Sequence, residues 1–181
     1  LWGVYKDLKK SAIDTHGYIV NENVAADVAI TNYLHLYEEN AKTKVIVEVG
    51  IKKYNDVIAS QEHILAYWPS YKKLRDEANT NHNKISNENL ASEVVIDSYI
   101  GSYDNIAKSK LSIEESIKRY ENIIKMQSGM LEQWPIYKEL KQQAISKHNT
   151  ITTDNMAAEV IIDDYLGLYN SKTKRTLEEG I

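Results

Sequence analysis

One block of sequence occurs three times in this 181-residue chain, and this repetition limits the possible folds more than any other feature. The copies run from Trp2 to Tyr37, from Trp68 to Tyr103 and from Trp134 to Tyr169, so successive copies start 66 residues apart. Thirteen positions hold the same residue in all three copies, and most of these are apolar residues at helical spacing. A fixed period of this length is typical of repeat architectures, in which the shared residues form a packing core.

Each copy predicts two α-helices, and a third helix follows. The first helix, A, has one apolar face with steps of three and four residues: Trp2, Tyr5, Leu8, Ala12 and His16. Gly17 is expected to end it. Helix B is predicted from about 24 to 39 with Asn23 as its N-cap. Helix C is predicted from about 47 to 59, with Gly50 inside it at a cost of about 1 kcal/mol relative to Ala.

The second copy carries further boundary signals. Pro69 is expected at the first position of helix A, where its missing N–H costs nothing. Ser112–Glu115 is a capping box that starts helix C, and Ser128–Gly129 is expected to end that helix. Leu177 aligns with Leu111, so the chain is expected to stop where a third helix C would begin.

We therefore predict an all-α fold, an elongated array of short antiparallel three-helix units with a 66-residue period and about eight helices. The predicted domains are repeat 1 at 1–66 and repeat 2 at 67–132, each with helices A, B and C, and repeat 3 at 133–181, with helices A and B and a truncated third helix. The period leaves the phase open, because the order C-A-B is as good as A-B-C. The abrupt start inside a repeat is typical of a fragment excised from a longer chain.

Composition excludes several classes of function. The net charge of −4 is spread evenly along the chain, so a nucleic-acid partner is not expected. No apolar run approaches the roughly 20 residues of a membrane span. The chain has no cysteine, which excludes disulfides, thiolate metal sites and cysteine catalysis.

The recurring histidines His16, His82 and His148 are the most suggestive candidates for a metal or pH-sensing site. A metal ion needs several ligands around one point, and residues in separate repeats do not converge. We favour instead a partly buried histidine in the last turn of each helix A, close to the helix C-terminus. His35 and His63 do not recur and are expected at the surface. No metal ion and no cofactor is predicted.

No pattern of catalytic residues stands out. The acidic pairs are adjacent in sequence, so their side chains point about 100° apart on a helix and suit a two-carboxylate site poorly: Glu38–Glu39, Glu114–Glu115 and Asp163–Asp164. Phosphate-binding loops, nucleophile elbows and zinc-binding helix motifs are absent from the sequence. We predict that the protein is not an enzyme.

Two other recurring residues have alternative interpretations. The tryptophan of each copy could be an exposed ligand anchor, but packing at the junction between units is favoured. The lysines Lys6, Lys72 and Lys138 lie off the apolar face and are expected to face solvent. Binding residues cannot be assigned from the sequence, and function is expected at exposed positions that differ between copies.

Three classes of function follow. The favoured one is an extracellular cell-surface adhesin or antigen, in which repetition gives multivalent contacts with a protein or host-cell ligand. The alternative is an intracellular helical-repeat scaffold for protein–protein interaction. An enzyme or ligand carrier is disfavoured for the reasons above.

A family resemblance points the same way. The resemblance rests on the Trp-x-x-Tyr-Lys-x-Leu blocks at Trp2, Trp68 and Trp134 and on the helices that follow them. It also rests on a composition that lacks Cys and is rich in Lys, Asn, Ile and Tyr. In this layout the chain resembles the tandem-cassette helical surface adhesins of wall-less bacteria, the variable adherence-associated antigens of mycoplasmas. The resemblance implies attachment to host cells and transfers no functional residue.

Overall fold

The computed structural model is all-α and describes residues 1–171 and 175–181, apart from the side chains of Ala107 and Leu177. Over those residues it contains ten helices and no β-strand. The helices are α1 (Trp2–Asn21), α2 (Val24–Asp27), α3 (Thr31–Lys42), α4 (Val47–Asn87), α5 (Leu90–Glu93), α6 (Asp97–Lys108), α7 (Ile113–Thr153), α8 (Met156–Glu159), α9 (Asp163–Asn170) and α10 (Leu177–Gly180). The all-α prediction is confirmed.

The residues form two compact units. The first comprises residues 1–77 and 103–122, and the second comprises residues 78–102 and 123–181. The helices α4 and α7 each contribute residues to both units. The division into three sequence repeats stays a prediction.

Gly17 does not end the first helix, contrary to the sequence prediction, because α1 continues through it to Asn21. The chain turns instead at Asn23, whose φ of 56° lies in the left-handed region. The corresponding residues Asn89 and Asn155 have φ values of 54° and 55°. Asparagine adopts this conformation more readily than most residues, which accounts for its recurrence. The N-cap position is as predicted, but no side-chain cap hydrogen bond accompanies it.

The predicted helix B is broken in two. A single turn, α2, ends at Asp27, the next residue Val28 has an extended backbone (φ −131°, ψ 160°), and α3 starts at Thr31. Val28 is fully buried and Ile30 is 6% exposed. The apolar run that suggested a continuous buried helix therefore supplies a short helical turn and an extended segment, both packed inward.

Helices C and A, predicted as separate, are continuous. The helix α4 contains Pro69 and the helix α7 contains Gly129 and Pro135, so the predicted break at Ser128–Gly129 is wrong. Pro69 removes one backbone hydrogen bond, but tertiary bonds from Trp68 and Lys72 to Glu22 anchor α4 on either side of the proline. The predicted cap of α7 is confirmed, because Ser112 Oγ accepts a bond from the Glu115 amide at 3.3 Å.

The cores of both units contain several of the residues that the sequence copies share. The buried apolar side chains of the first unit are Ala12, Ile19, Val24, Val28, Ile30, Tyr33, Tyr54, Val57, Ile64, Trp68, Tyr71, Ile106, Ile113 and Tyr120. Those of the second unit are Ala78, Ile85, Leu90, Val94, Ile96, Tyr99, Ile123 and Trp134. Tyrosine rings meet edge to face in the first unit: Tyr5 with Tyr54 at 5.5 Å and Tyr71 with Tyr120 at 5.7 Å between centroids.

The last helix, α10, corresponds to the start of α7, and the sequence has two residues fewer between Tyr169 and Thr176 than between Tyr103 and Ser112. Thr176 and Glu179 form a capping box at its start, and the bond from the Glu179 amide to Thr176 Oγ corresponds to the bond from the Glu115 amide to Ser112 Oγ in α7. Gly180 packs so closely against Tyr137 that a Cβ atom at this position would lie 2.8 Å from the tyrosine ring. Gly50 packs against Tyr5 in the same way, and the corresponding distance is 2.6 Å. Leu177 therefore matches Ile113, and its alignment with Leu111 is wrong.

Candidate functional site

A glutamate at the end of α1 organises the first polar cluster. Glu22 Oε2 accepts hydrogen bonds from Trp68 Nε1 at 3.1 Å and from Lys72 Nζ at 2.7 Å, both on α4. The bonds from Lys72 and Trp68 lower the pKa of Glu22. Trp68 is only 2% exposed, so this bond satisfies the polar end of a buried indole.

The same cluster occurs 66 residues later in the second unit. Trp134 Nε1 and Lys138 Nζ donate to Glu88 Oε2 at 3.0 and 2.6 Å, and the two bonds lower the pKa of Glu88. The lysines were expected to be solvent-facing, but Lys72 and Lys138 are ion-pair partners. The sequence signal for this pairing, Glu at corresponding positions of the loops after helix A, was missed. Trp2, in the first copy, is 60% exposed.

A second ion pair stands beside each glutamate cluster. In the first unit Arg75 pairs with Asp27 on α2. In the second unit Lys141 pairs with Glu93 on α5. The residue types differ between the two units, but each unit pairs a basic residue on a long helix with an acidic residue on the following single-turn helix. The ion pair is therefore common to both units.

The recurring histidines are hydrogen-bonded to tyrosines. The Nδ1 atom lies 2.8 Å from the Tyr33 hydroxyl for His16, 2.9 Å from the Tyr99 hydroxyl for His82, and 2.9 Å from the Tyr165 hydroxyl for His148. His16 also stacks on a second tyrosine ring with 3.9 Å between centroids.

This geometry revises the predicted role of the histidines. They are partly buried as expected, but α1 continues five residues beyond His16, so the predicted position in the last helical turn is wrong. Burial lowers the pKa of His16, and Glu38 opposes that shift. Over residues 1–171 and 175–181, no group of three His, Asp or Glu side chains is placed to hold a metal ion.

A buried glutamine ties each long helix to its neighbours. Gln61 Nε2 donates to the Ala12 carbonyl at 2.8 Å and to the Tyr33 hydroxyl at 3.1 Å. Gln127 Nε2 makes the corresponding bonds to the Ala78 carbonyl at 2.9 Å and the Tyr99 hydroxyl at 3.0 Å. Gln61 lies just beyond the predicted end of the first helix C, and the apolar pattern singled out neither glutamine.

The candidate site is a groove of about 560 Å³ in the first unit. We call it the first groove; its lining residues are Ala29, Ile30, Thr31, Asn32, Tyr33, Ala59, Ser60, His63, Ile64, Ser112, Ile113 and Glu114. His63 Nε2 lies 2.8 Å from Glu114 Oε1 across it. The Ala29 amide donates to the Leu111 carbonyl at 2.8 Å, which fixes one wall against the start of α7. His63 is exposed, as predicted.

A second groove of about 410 Å³ occupies the corresponding place in the second unit. Its lining residues are Val95, Ile96, Ser98, Lys125, Met126, Gly129, Met130, Gln133, Thr176 and Glu178. The Val95 amide donates to the Arg175 carbonyl at 3.0 Å, in the place of the bond from Ala29 to Leu111.

The two grooves are formed by corresponding backbone segments, but several of their lining side chains differ. On the long helix, Ala59 and Ser60 correspond to Lys125 and Met126, and His63 corresponds to Gly129. The first groove therefore presents an imidazole and hydroxyls, whereas the second presents an ammonium group and thioethers. The expectation that function lies at exposed positions that differ between copies stays a prediction.

The two serine hydroxyls of the first groove form hydrogen bonds with the helix backbone. Ser60 Oγ donates to the Asp56 carbonyl at 3.0 Å, and Ser112 Oγ accepts the capping bond of α7. Neither of these serine bonds involves His63, which faces Glu114. The groove can bind by hydrogen bonds, charge and apolar contact.

No protein-family model, curated protein or solved structure matches the chain. Within residues 1–171 and 175–181, no helix combines the length and the apolar character needed to cross a membrane.

Proposed function

We propose that the chain is a non-catalytic, tandem-repeat helical binding protein that acts at the cell surface as an adhesin or antigen and attaches to host cells through multivalent protein contacts. The units would be three-helix units with a 66-residue period, and the grooves would be the binding sites.

One observation carries the proposal: the polar framework of the first unit recurs in the second, whereas the groove linings differ. The bonds of Glu22 recur at Glu88, and those of Gln61 recur at Gln127. A constant scaffold with varied exposed residues is typical of binding repeats, in which packing and recognition are carried by different positions.

The groove chemistry favours binding over catalysis. The first groove has the volume of a ligand site and combines apolar walls with a few polar groups. Several such grooves on one chain raise avidity without any new type of contact. Host-cell attachment is supported by the sequence resemblance described above.

The test is binding of the fluorescently labelled protein to cultured host epithelial cells. Ala59→Trp fills the first groove and Lys125→Trp fills the second, each from an exposed position on a long helix. We expect about tenfold weaker binding for each variant and a larger loss for the double variant. Lys73→Trp, exposed on α4 outside the groove lining, is the matched control and should bind as the unaltered protein does.

Saturable binding that unlabelled protein competes away, and that the groove variants weaken, supports the proposal. Undiminished binding by the folded double variant would remove the grooves as the contact sites. Absence of binding by the folded, unaltered protein would overturn the adhesin assignment and leave an intracellular scaffold as the remaining binding function.

A further inference from the structure

A buried tyrosine hydroxyl connects three helices of the first unit. Tyr33 on α3 is 3% exposed, and its hydroxyl oxygen lies 3.1 Å from Gln61 Nε2 on α4 and 2.8 Å from His16 Nδ1 on α1. Among the residues that the structure describes, these two atoms are its hydrogen-bond partners. Gln61 Nε2 also lies 2.8 Å from the carbonyl oxygen of Ala12 on α1. The hydrogen bonds therefore form one series from Ala12 through Gln61 and Tyr33 to His16.

The carbonyl of Ala12 sets the direction of every bond in this series. A carbonyl oxygen only accepts hydrogen bonds, so the Gln61 atom that faces it is the amide nitrogen, which donates. This nitrogen gives its second hydrogen to the Tyr33 oxygen. Tyr33 keeps its own proton, because burial raises the pKa of its hydroxyl, and that proton points to His16. The Nδ1 atom of His16 is therefore an acceptor, so the imidazole is neutral and carries its proton on Nε2.

Protonation of His16 would break this series of bonds. A charged imidazole carries a hydrogen on both nitrogens, so Nδ1 and the Tyr33 hydroxyl would each point a hydrogen at the other. Tyr33 would then have to turn its proton into a buried place without an acceptor, which is unfavourable, or move away from Gln61. Burial already lowers the pKa of His16, and the fixed direction of the bonds disfavours the charged form further.

The groups around His16 leave one charge that favours protonation. From α3 it faces the hydroxyl of Tyr33, the ring of Tyr37 at 3.9 Å between centroids, and the carboxylate of Glu38, which opposes the lowering of its pKa. From α4 the neutral amide of Gln61 reaches it only through Tyr33. The protonation of His16 is therefore set by a competition between Glu38 on one side and burial with the bond from Tyr33 on the other.

The tyrosine of this series also lines the first groove. Tyr33 and its neighbour Ile30 both belong to the groove wall. A change in the hydrogen bonds of Tyr33 therefore changes the wall of the candidate binding site. The same series occurs in the second unit, where Gln127 donates to the Ala78 carbonyl and to the Tyr99 hydroxyl, which lies 2.9 Å from His82 Nδ1.

We propose that His16 is an acid-sensitive switch: protonation of its Nδ1 displaces the Tyr33 hydroxyl and so alters the wall of the first groove. The switch would regulate the binding site described above, so its biological role rests on the proposed function. The experiment uses the protein without any ligand, and it can therefore fail independently of cell binding.

The test follows two NMR signals of the full chain from pH 8 to pH 5. The ring carbon Cε1 of His16 reports its protonation, and the δ1 methyl group of Ile30 reports the groove wall. Both signals should titrate with one midpoint. That midpoint should lie below the pKa of an unperturbed histidine, about 6.5.

Two variants separate His16 from the imidazole of the groove itself. His16→Gln does not titrate, and its amide oxygen can accept the proton of Tyr33, so it should abolish the titration of the Ile30 signal. His63→Gln is the matched control, because His63 lines the same groove beside Glu114. The Ile30 signal should still titrate in this variant. Circular dichroism confirms that both variants remain helical.

Two further variants separate bond direction from burial. Gln61→Met keeps the length of the side chain but donates no hydrogen bond, so the Tyr33 oxygen can accept from a charged His16, and the pKa of His16 should rise. Gln127→Met removes the equivalent bonds in the second unit and should leave the pKa of His16 unchanged. Tyr33→Phe removes the hydroxyl and should also raise the pKa of His16, so the test does not depend on one variant folding.

A titration of the Ile30 signal that His16→Gln abolishes and His63→Gln preserves supports the switch. An Ile30 signal that stays constant down to pH 5, that still titrates in His16→Gln, or that no longer titrates in His63→Gln overturns it. A pKa of His16 that neither Gln61→Met nor Tyr33→Phe raises would also overturn it, because burial alone would then hold the imidazole neutral.

Discussion

The indole Nε1 of Trp68 donates a hydrogen bond to Glu22 Oε2 at 3.1 Å, joining the middle of α4 to the end of α1 across 46 residues of sequence. Lys72 bonds to the same oxygen one helical turn further on. The tryptophan is thus both a core residue and a hydrogen-bond donor, which explains why phenylalanine would be a poor substitute.

This relationship predicts a change in the acidity of Glu22. Because the Lys72 bond is the larger cause of the lowered pKa and the Trp68 bond is the next, Lys72→Met should raise the pKa most and Trp68→Phe should raise it less. The carboxyl ¹³C shift of Glu22, followed by NMR from pH 2 to 7, measures both. Trp134→Phe removes the equivalent bond at Glu88 and should leave the pKa of Glu22 unchanged. If Trp134→Phe raised the pKa of Glu22 as much as Trp68→Phe does, the Trp68 bond would not be a cause of the lowered pKa.

The same lowered pKa predicts a pH dependence of stability. A carboxyl whose pKa is lower in the folded state stabilises the fold above its unfolded pKa, about 4.3 for glutamate. That contribution is lost as pH falls through the folded pKa. Urea unfolding between pH 5 and 2 should therefore show a steeper loss of stability for the unaltered protein than for Glu22→Gln, which does not titrate. Parallel pH profiles would exclude the linkage.

Asn40 is expected to destabilise the first unit. It is 6% exposed, its Nδ2 has no hydrogen-bond partner, and the residue 66 positions later is Ile106, also buried. Asn40→Ile should raise the free energy of unfolding by about 1–2 kcal/mol, because it removes an unsatisfied buried amide. Asn55→Ile, at an exposed position of α4, should change it by less than about 0.5 kcal/mol. Chemical denaturation of both variants measures the difference.

Gln61 offers a reciprocal pair of substitutions. Its Oε1 is buried without a partner, whereas Gln127 Oε1 accepts a bond from Asn81 Nδ2 at 3.3 Å. Thr15 occupies the position of Asn81 in the first copy. Thr15→Asn should stabilise the protein by about 1 kcal/mol and Asn81→Thr should destabilise it by a similar amount. Changes of the same sign in thermal and urea unfolding would refute this pairing.

Asn23 should tolerate glycine but not alanine. Its φ of 56° costs a residue with a Cβ atom about 1–2 kcal/mol, a penalty that asparagine reduces by local polar contacts and glycine avoids. Asn23→Ala should lower the free energy of unfolding by about 1 kcal/mol, and Asn23→Gly should lower it less. Asn21→Ala, inside α1, controls for loss of the amide side chain. An alanine variant as stable as the glycine variant would exclude a backbone cause.

Apolar periodicity was enough to predict an all-α chain and most of its core, but not the helix ends. Gly17 and Pro69 are strong local signals for helix boundaries, yet both lie inside helices. At Asn23, by contrast, the predicted boundary was right but its physical reason was different. Its recurrence, read as a capping signal, reflected a left-handed backbone that asparagine also favours.

The candidate grooves could not be predicted from the sequence, for a different reason. The first groove combines segments near residues 30, 62 and 113, and nothing in the local pattern of any one segment indicates the other two. The pairing of His63 with Glu114 depends on that long-range arrangement. The sequence did predict that many shared positions serve packing, and five of the residues shared by all copies are buried in the first unit: Ala12, Ile19, Val28, Ile30 and Tyr33.

The continuity of α4 has a consequence for how such a chain can change in length. Gln61 and Trp68 lie on one uninterrupted helix, and both must face their partners in the first unit at the same time. One inserted residue between them would rotate Trp68 by about 100° relative to Gln61, so either bond could form only at the expense of the other. We therefore expect insertions and deletions to be tolerated between the helices and not between Gln61 and Trp68.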